Sequence, residues 1–312
     1  MNTVESYKAF DKDLKCKGFQ YEIGKQYTLD GDIEMCFKGF HACENPLMVL
    51  NFYHISTSRF AMVEQSGEIK RDSNFGKTCS SKISIIKEID LLTLIHEGIS
   101  YTNLELVDYY WKNYLTKDSF DPISIFMISS DPSDYVRLNQ TRNKINSVGT
   151  FSKMYSNSYR EQICSCGDYS LIVSEGKFAE INSNGKSNLI VSTGHHSKIV
   201  VNNAFSKVVS LGCVSAVSIV SNHCEVFSEG TKSLISVIGD FTRIESRGEN
   251  SNIYCVGEQC KVKAGKESYI TLSEILPNNV LTSKTEFVDG EKIKADTWYE
   301  LNNGEFIECE SD

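Results

Sequence analysis

The sequence predicts an α+β N-terminal module followed by an all-β, two-sided parallel β-solenoid, with 9-residue half-coils paired into 18-residue coils, and a C-terminal β-hairpin cap. Three observations carry that expectation. Glycines recur in a phase of nine through the second half. Every unit of that phase holds a β-branched residue at a fixed offset. The first hundred residues show no repeat and mix strand and helix signals.

The repeat is read first. Gly149, Gly167, Gly176, Gly185, Gly194, Gly212, Gly230, Gly239, Gly248 and Gly257 fall in phase, with Ser158, Asn203 and Ser221 at the missing steps. Three residues on, the chain places a small side chain, from Ser170, Ala179 and Asn188 through Cys224, Thr242 and Cys260. Five residues on, it places Ile or Val every time, from Ile172 to Val262. The expected unit is a short strand with the β-branched residue inward and a bend permitted by the glycine. Seven residues on, two interleaved ladders appear. One reads Ser156, Ser174, Ser192, Ser210, Ser228, Ser246, and the other Ser165, Ser183, Val201, Ile219, Val237, Cys255. Two distinct ladders imply two faces, hence two units per coil. Inward Ser hydroxyls would bond along the ladder or to corner backbone. Cys224, Cys255 and Cys260 read as small core filler. The pattern lacks the paired glycines and recurring Asp of a calcium-binding roll. Asp168 and Asp240 follow corner glycines instead.

The expected organisation is an α+β module over 1–100, a helical connector over 101–139, the solenoid over 140–275 and an acidic β cap over 276–312. In the module, YKAF, FQYEIGKQYTL, DIEMCFKGFHAC, SRFAMVEQSGEI and CSSKISII read as strands. Asn45-Pro46 starts a helix, with an amide cap and Pro in the first turn. A second short helix runs from about Asp90 to Glu97 with Gly98 at its C′ position, and Thr102-x-x-Glu105 is a capping box that opens a third. After Gly265 the phase slips by one, and Pro277-Asn278-Asn279 breaks it. Asp289-Gly290 and Asn303-Gly304 then read as hairpin turns.

Charge narrows the function. Residues 149–275 carry 12 Lys and Arg against 12 Asp and Glu, and residues 276–312 carry 3 against 9. No stretch is basic, which argues against nucleic acid as a partner. No apolar run reaches the length of a membrane span, so no membrane partner is expected. MNTVESYKAFDKDLK has no apolar signal region, and 11 Cys without such a signal read as reduced thiols, so the expected location is the cytoplasm of a bacterial host cell.

The stretches CKGFQYEIGK (16–25) and KGFHACENPL (38–47) resemble an uncharacterised N-terminal domain family. It occurs in phage, prophage and gut-bacterial proteins, commonly ahead of nonapeptide repeats, and the closing VDGEKIKADTWYEL resembles tails of such proteins. The resemblance implies an origin and an architecture and no reaction. It covers the first hundred residues and departs from the family over 101–140.

Candidate chemistry is sparse. Cys16, Cys36, His41 and Cys43 offer zinc-type ligands, but their spacing matches no standard zinc motif, so no metal and no cofactor is expected. Cys43 with His41 or His54 would make a thiol–imidazole pair. If the module is enzymatic, its element order resembles a degenerate ADP-ribosyltransferase-like fold that binds NAD. His41 and Tyr53 would frame the nicotinamide and Glu64 or a later acid would orient the ribose, with Arg59 on the same strand as Glu64. The other reading is a non-enzymatic phage- or prophage-type binding or assembly protein, with the solenoid as rigid spacer and contact surface. Its interface would be the apolar outward stripe Leu171, Val173, Leu189, Val191, Val209 and Phe227, used for a protein partner or self-association. The sequence leaves open whether that stripe is covered by the chain itself.

Overall fold

A computed structural model describes residues 3–72, 76–113, 126–129, 135–138, 144–276 and 280–310. The chain divides into two units, Met1–Trp111 and Lys112–Asp312.

The first unit is built on a ring of antiparallel strands. Val4–Phe10 pairs with Arg59–Arg71 on one side and with Phe40–Cys43 on the other. Lys77–Ile89 pairs with both Arg59–Arg71 and Phe40–Cys43, which closes the ring, and Gln26–Thr28 adds to its outer edge. Closure explains why Tyr7, Lys8, Ala9 and Phe10 are all buried in succession: a strand inside a closed, covered ring has no wet side. Phe10, Tyr21, Phe40, Ala42, Ala61, Val63, Ile83 and Ile85 fill the interior. Gln65 is buried with them, and its amide donates to Phe40 O (2.9 Å) and Ser80 Oγ (3.0 Å).

The quoted motifs have local causes. Cys16-Lys17-Gly18-Phe19 is a two-residue hairpin turn, with Lys17 at φ 49° and Gly18 at φ 79°. A Cβ at Gly39 would lie 2.3 Å from Cys79 Sγ, so Lys38-Gly39-Phe40 needs the bare backbone. Asn45 caps the helix Pro46–Asn51 as expected, accepting from Leu47 N at 3.0 Å, though the turn is a 3-10 helix.

The second and third helices are one. Leu91–Asn113 is continuous through Gly98 and Thr102. Gly98 does not end the helix; it is there because Leu47 sits against it, with Leu47 N 2.8 Å from where a Cβ would be. Thr102 is not a cap either. Its buried hydroxyl donates to Gly98 O (2.8 Å) and accepts from Asn45 Nδ2 (3.0 Å).

The second unit is a parallel β-solenoid. Ile145 stands beside Ile163, Ile163 beside Ile181, and Ile181 beside Ile199. The coil is the expected one, and Ser170 N donates to the side chain of Asn188, its counterpart on the next coil, at 2.7 Å. The strands form two ten-stranded sheets, each finished by antiparallel strands. The small, β-branched and seventh-position ladders are all buried, as the sequence required. The stack begins earlier than residue 140. Phe126–Ser129 and Tyr135–Leu138 pair in parallel with the next coil, so the expected helical connector over 101–139 contributes to the sheets.

The glycines do not make the bend. That task falls to the residue two positions on, which is left-handed at every corner: Phe151, Arg160, Tyr169, Phe178 and so on to Glu267, at φ 51–62°. From Phe151 to Asn250 each such N–H donates to a carbonyl of the next coil, for example Tyr169 N to Lys186 O at 2.8 Å. The glycines serve close approach instead. A Cβ on Gly194 would lie 1.8 Å from Gly176 O, and the same clash recurs at the corner glycines from Gly167 to Gly257. Asp168, His195, Asn222 and Asp240, one after the corner, accept from backbone N–H groups one coil on.

The Ser ladders divide. Ser152, Ser197 and Ser233 donate to the carbonyl three residues back (2.8 Å each). The seventh-position hydroxyls of Ser165, Ser192, Ser210, Ser228 and Ser246 find no partner among the described residues, contrary to the expected ladder bonding.

At the end of the stack the register slips by one, Asn252 pairing with Tyr269. Asn303-Gly304 is a two-residue hairpin turn at φ 51° and 78°. Asp289-Gly290 is not a hairpin. Asp289 Oδ1 gathers the N–H groups of Glu291, Lys292 and Ile293 where the chain passes from one sheet to the other. The Pro277-Asn278-Asn279 break lies outside the described residues.

Candidate functional site

The densest chemistry in the chain lies where the first unit buries a lysine. Lys8 is in the middle of the innermost strand and is 4% exposed. Its Nζ donates to His41 O (2.9 Å) and to Cys16 Sγ (3.5 Å), and lies 5.6 and 5.5 Å from the Phe10 and Tyr21 ring centres. Cys16 is delivered by the tight turn described above. Its Sγ is 3.0 Å from the hydroxyl of Tyr53, which follows the 3-10 helix. Three elements thus bring an amine, a thiol and a phenol together.

Burial dominates the electrostatics here. Burial pushes Lys8 down, and the neighbouring Cys16 and Cys43 sulfurs pull it back up. Burial pushes the Cys43 thiol up to about 12. His41 is pushed down to about 4 by burial and by Lys8, Lys17 and Lys77. Tyr53 and Tyr21 are raised, chiefly by burial. Among the described residues no carboxylate is within ion-pair distance of Lys8.

The expected sites fare unequally. Tyr53 and the His41 carbonyl meet at the Lys8–Cys16 pair. The His41 ring is used differently, Nε2 accepting from Cys36 N at 2.9 Å. That bond occupies one of the two ring nitrogens, and the described residues contain no group of three or more His, Cys, Asp and Glu set to hold a metal. Cys43 is held as a neutral thiol and His54 is exposed, which gives a thiol–imidazole pair no support. Glu64 is exposed on its strand, with Glu5 and Ser84 as register neighbours. Arg59 is held by Glu88 at 2.7 Å. Lys8 was missed by the sequence reading. Its only signal was a lysine inside an otherwise apolar strand, YKAF.

The solenoid stripe needs correction as a surface. Leu171, Val173, Leu189, Val191, Val209 and Phe227 are all buried within the single chain, at 2% exposure or less. Apolar side chains stacked side by side gain most when removed from water. The charged continuation of the same face is an alternating ladder: Lys207 with Glu225 (3.3 Å), Glu245 with Lys263 (3.0 Å) and Arg247 (2.8 Å). Exposed apolar surface lies elsewhere. On the other sheet, Val220 stands beside Ile238, and Leu234, Tyr254 and Tyr269 are also 41–54% exposed. At the adjoining corner Phe205, His223 and Phe241 stack at 4.9 and 4.8 Å, nearly parallel. The sequence signal was a bulky apolar residue at outward slots of the interleaved set.

Residues 4–97 match the model of a family described as a domain of unknown function (DUF7666). No curated protein and no solved structure matches the chain. Among the described residues no helix is long and apolar enough to cross a membrane.

Proposed function

We propose that this is a non-enzymatic binding and assembly protein of phage or prophage type, in which the solenoid is a stiff spacer and contact surface. One observation carries the reading. The sheet built on Ala216–Val220, Leu234–Ile238 and Asn252–Val256 leaves Val220 and Ile238 open to solvent side by side, with Leu234 and Tyr254 exposed on the same face. The two continuous sheets below them fix their spacing, so the patch is a preformed surface. Residues 149–275 carry equal numbers of acidic and basic residues, so the segment bearing the patch adds no net charge of its own to the contact. The occupant proposed is a second copy of the chain. The resemblance of the N-terminal motifs to phage and prophage proteins supports a role in assembly.

The test is native mass spectrometry of the full chain beside a Leu234→Asp, Ile238→Asp variant. The wild type is expected at a multiple of the chain mass and the variant at the single mass, with an unchanged circular dichroism spectrum. Wild-type protein at the single mass across micromolar concentrations would sink self-association through this patch.

A further inference from the structure

We propose that Cys16 is a nucleophilic, peroxide-reactive thiol, with the buried Lys8 ammonium as its fixed counter-charge and the Tyr53 hydroxyl as a hydrogen-bond donor to its sulfur. The site is separate from the solenoid patch and does not depend on the assembly reading.

A lysine 4% exposed has left water, and an isolated buried ammonium is too costly to persist without a partner. The partners present are a carbonyl (His41 O, 2.9 Å), two ring faces and the Cys16 sulfur (3.5 Å). The carbonyl and the rings contribute dipole and quadrupole only. The titratable groups that face this space are Cys16 and Lys17 on the turn, Tyr21, His41 and Cys43 on the neighbouring strand, and Tyr53. Burial holds Tyr21, Tyr53 and Cys43 neutral, and His41 is neutral at pH 7. Among these groups the Cys16 sulfur is the one the Lys8 Nζ touches, and the Tyr53 hydroxyl lies 3.0 Å from the same sulfur, placed to donate to it.

Geometry also gives access. Cys16 is partly exposed while Lys8 is not, so a small reagent reaches the sulfur without displacing the lysine. A sulfur held beside a lysine amine and open to solvent is the kind of setting in which a cysteine becomes reactive. With a hydroperoxide as oxidant, the sulfur lone pair attacks the terminal oxygen. An S–O bond forms, the O–O bond breaks, and the leaving alkoxide takes a proton from Lys8. The products are a sulfenic acid, an alcohol (water from hydrogen peroxide) and a neutral Lys8 amine. Sulfur is oxidised and the peroxide reduced. Charge is conserved because the ion pair is consumed as a pair.

Cys36 and Cys166 are the internal controls, since both are more exposed than Cys16. The experiment treats the folded full chain at pH 6 with hydrogen peroxide in the presence of a dimedone-type trap. In parallel it uses limiting iodoacetamide, and peptide mass spectrometry scores every cysteine of the chain. Cys16 is expected to react about tenfold faster than Cys36 and Cys166 with both reagents, an advantage that shrinks toward pH 9 as the controls ionise. Lys8→Met is expected to remove the advantage, and Tyr53→Phe to reduce it. Wild-type Cys16 reacting no faster than Cys36 at pH 6 overturns the proposal without recourse to any variant. So does a folded Lys8→Met protein whose Cys16 keeps its rate.

Discussion

The solenoid and the N-terminal module each bury an ionisable side chain, and they do it by opposite means. Glu161 occupies a slot that other coils fill with Ser, Thr, Ala, Asn or Cys, and it is fully buried. Its carboxylate accepts from the hydroxyls of Ser156 and Ser174 and from Ser158 N (3.1 Å), all supplied by its own coil and the next. Lys8 draws its partners from separate elements: the strand holding His41, the turn holding Cys16 and the aromatic interior. A stacked coil offers every side chain near-copies of its environment one coil above and below, so a misfit finds ready donors. The module offers each environment once. Its buried amine therefore meets a carbonyl, a thiol and two rings that occur together nowhere else in the module. Repetition favours structure, and a unique environment favours reactivity.

The sharpest test of the repeated environment is the coil spacing itself. Gly194→Ala places a methyl 1.8 Å from Gly176 O, and neither backbone can move without opening the stack. The expected loss is about 3 kcal/mol or more, read as a lowered urea midpoint. Gly24→Ala in the module is the control. Its backbone is also special, φ 81°, but nothing lies within 4 Å of the added methyl, so only strain is expected, roughly 1 kcal/mol. Equal losses at the two positions would mean that corner glycines are chosen for conformation after all.

Next in size is the buried acid. Burial, and to a lesser degree Glu175, push the Glu161 carboxyl up, against the pull of its Ser and N–H partners. A carboxyl raised in the folded state keeps a proton that the unfolded chain has released. Its favourable contribution is therefore complete below the ordinary carboxylate range and is lost as pH rises through the folded value. Glu161→Gln is expected to raise stability at pH 7, by on the order of 1 kcal/mol, and to lose that advantage near pH 4. Thermal melts of both proteins across pH 4–8 measure it. A variant less stable at pH 7 would show that the ionised form is what Ser156 and Ser174 hold.

The same contrast explains what could be read from the sequence. Periodicity exposes any property that recurs, so the inward ladders and the coil length were legible from Ile172, Ile190 and Val208 alone. It exposes position but not cause. Gly167 and Gly194 were placed correctly and given the wrong task, because glycine permits both a bend and a close approach, and only the carbonyl of the neighbouring coil decides between them. The register slip after Gly265 was legible as broken phase, whereas the strands at 126–129 and 135–138 were not, since no glycine marks their corners. In the module nothing recurs. Asn45 as a cap follows from local rules, but Thr102 obeys Asn45 and Gly98 obeys Leu47, contacts between distant parts of the chain that no local rule contains. Lys8 and Cys16 meet for the same nonlocal reason.

The smallest expected effect concerns what the repeated corner costs. Val214 is left-handed at φ 57°, where a β-branched side chain is least at ease, and its N–H is committed to Thr231 O at 2.9 Å. Two coils on, the same ladder carries Asn250 at φ 58°. The stack holds Val214 in place because the coils on either side fix the corner, so the strain is stored there. Val214→Asn keeps the N–H, lowers the left-handed penalty and removes an exposed apolar group. A gain of about 0.5–1 kcal/mol in the unfolding free energy is expected. A gain would show that a repeated scaffold tolerates an unfavourable residue by overdetermining its backbone. No change would mean that the corner is unstrained for any side chain, so that the left-handed position imposes no selection and the exposed ladder is free to vary with whatever it contacts.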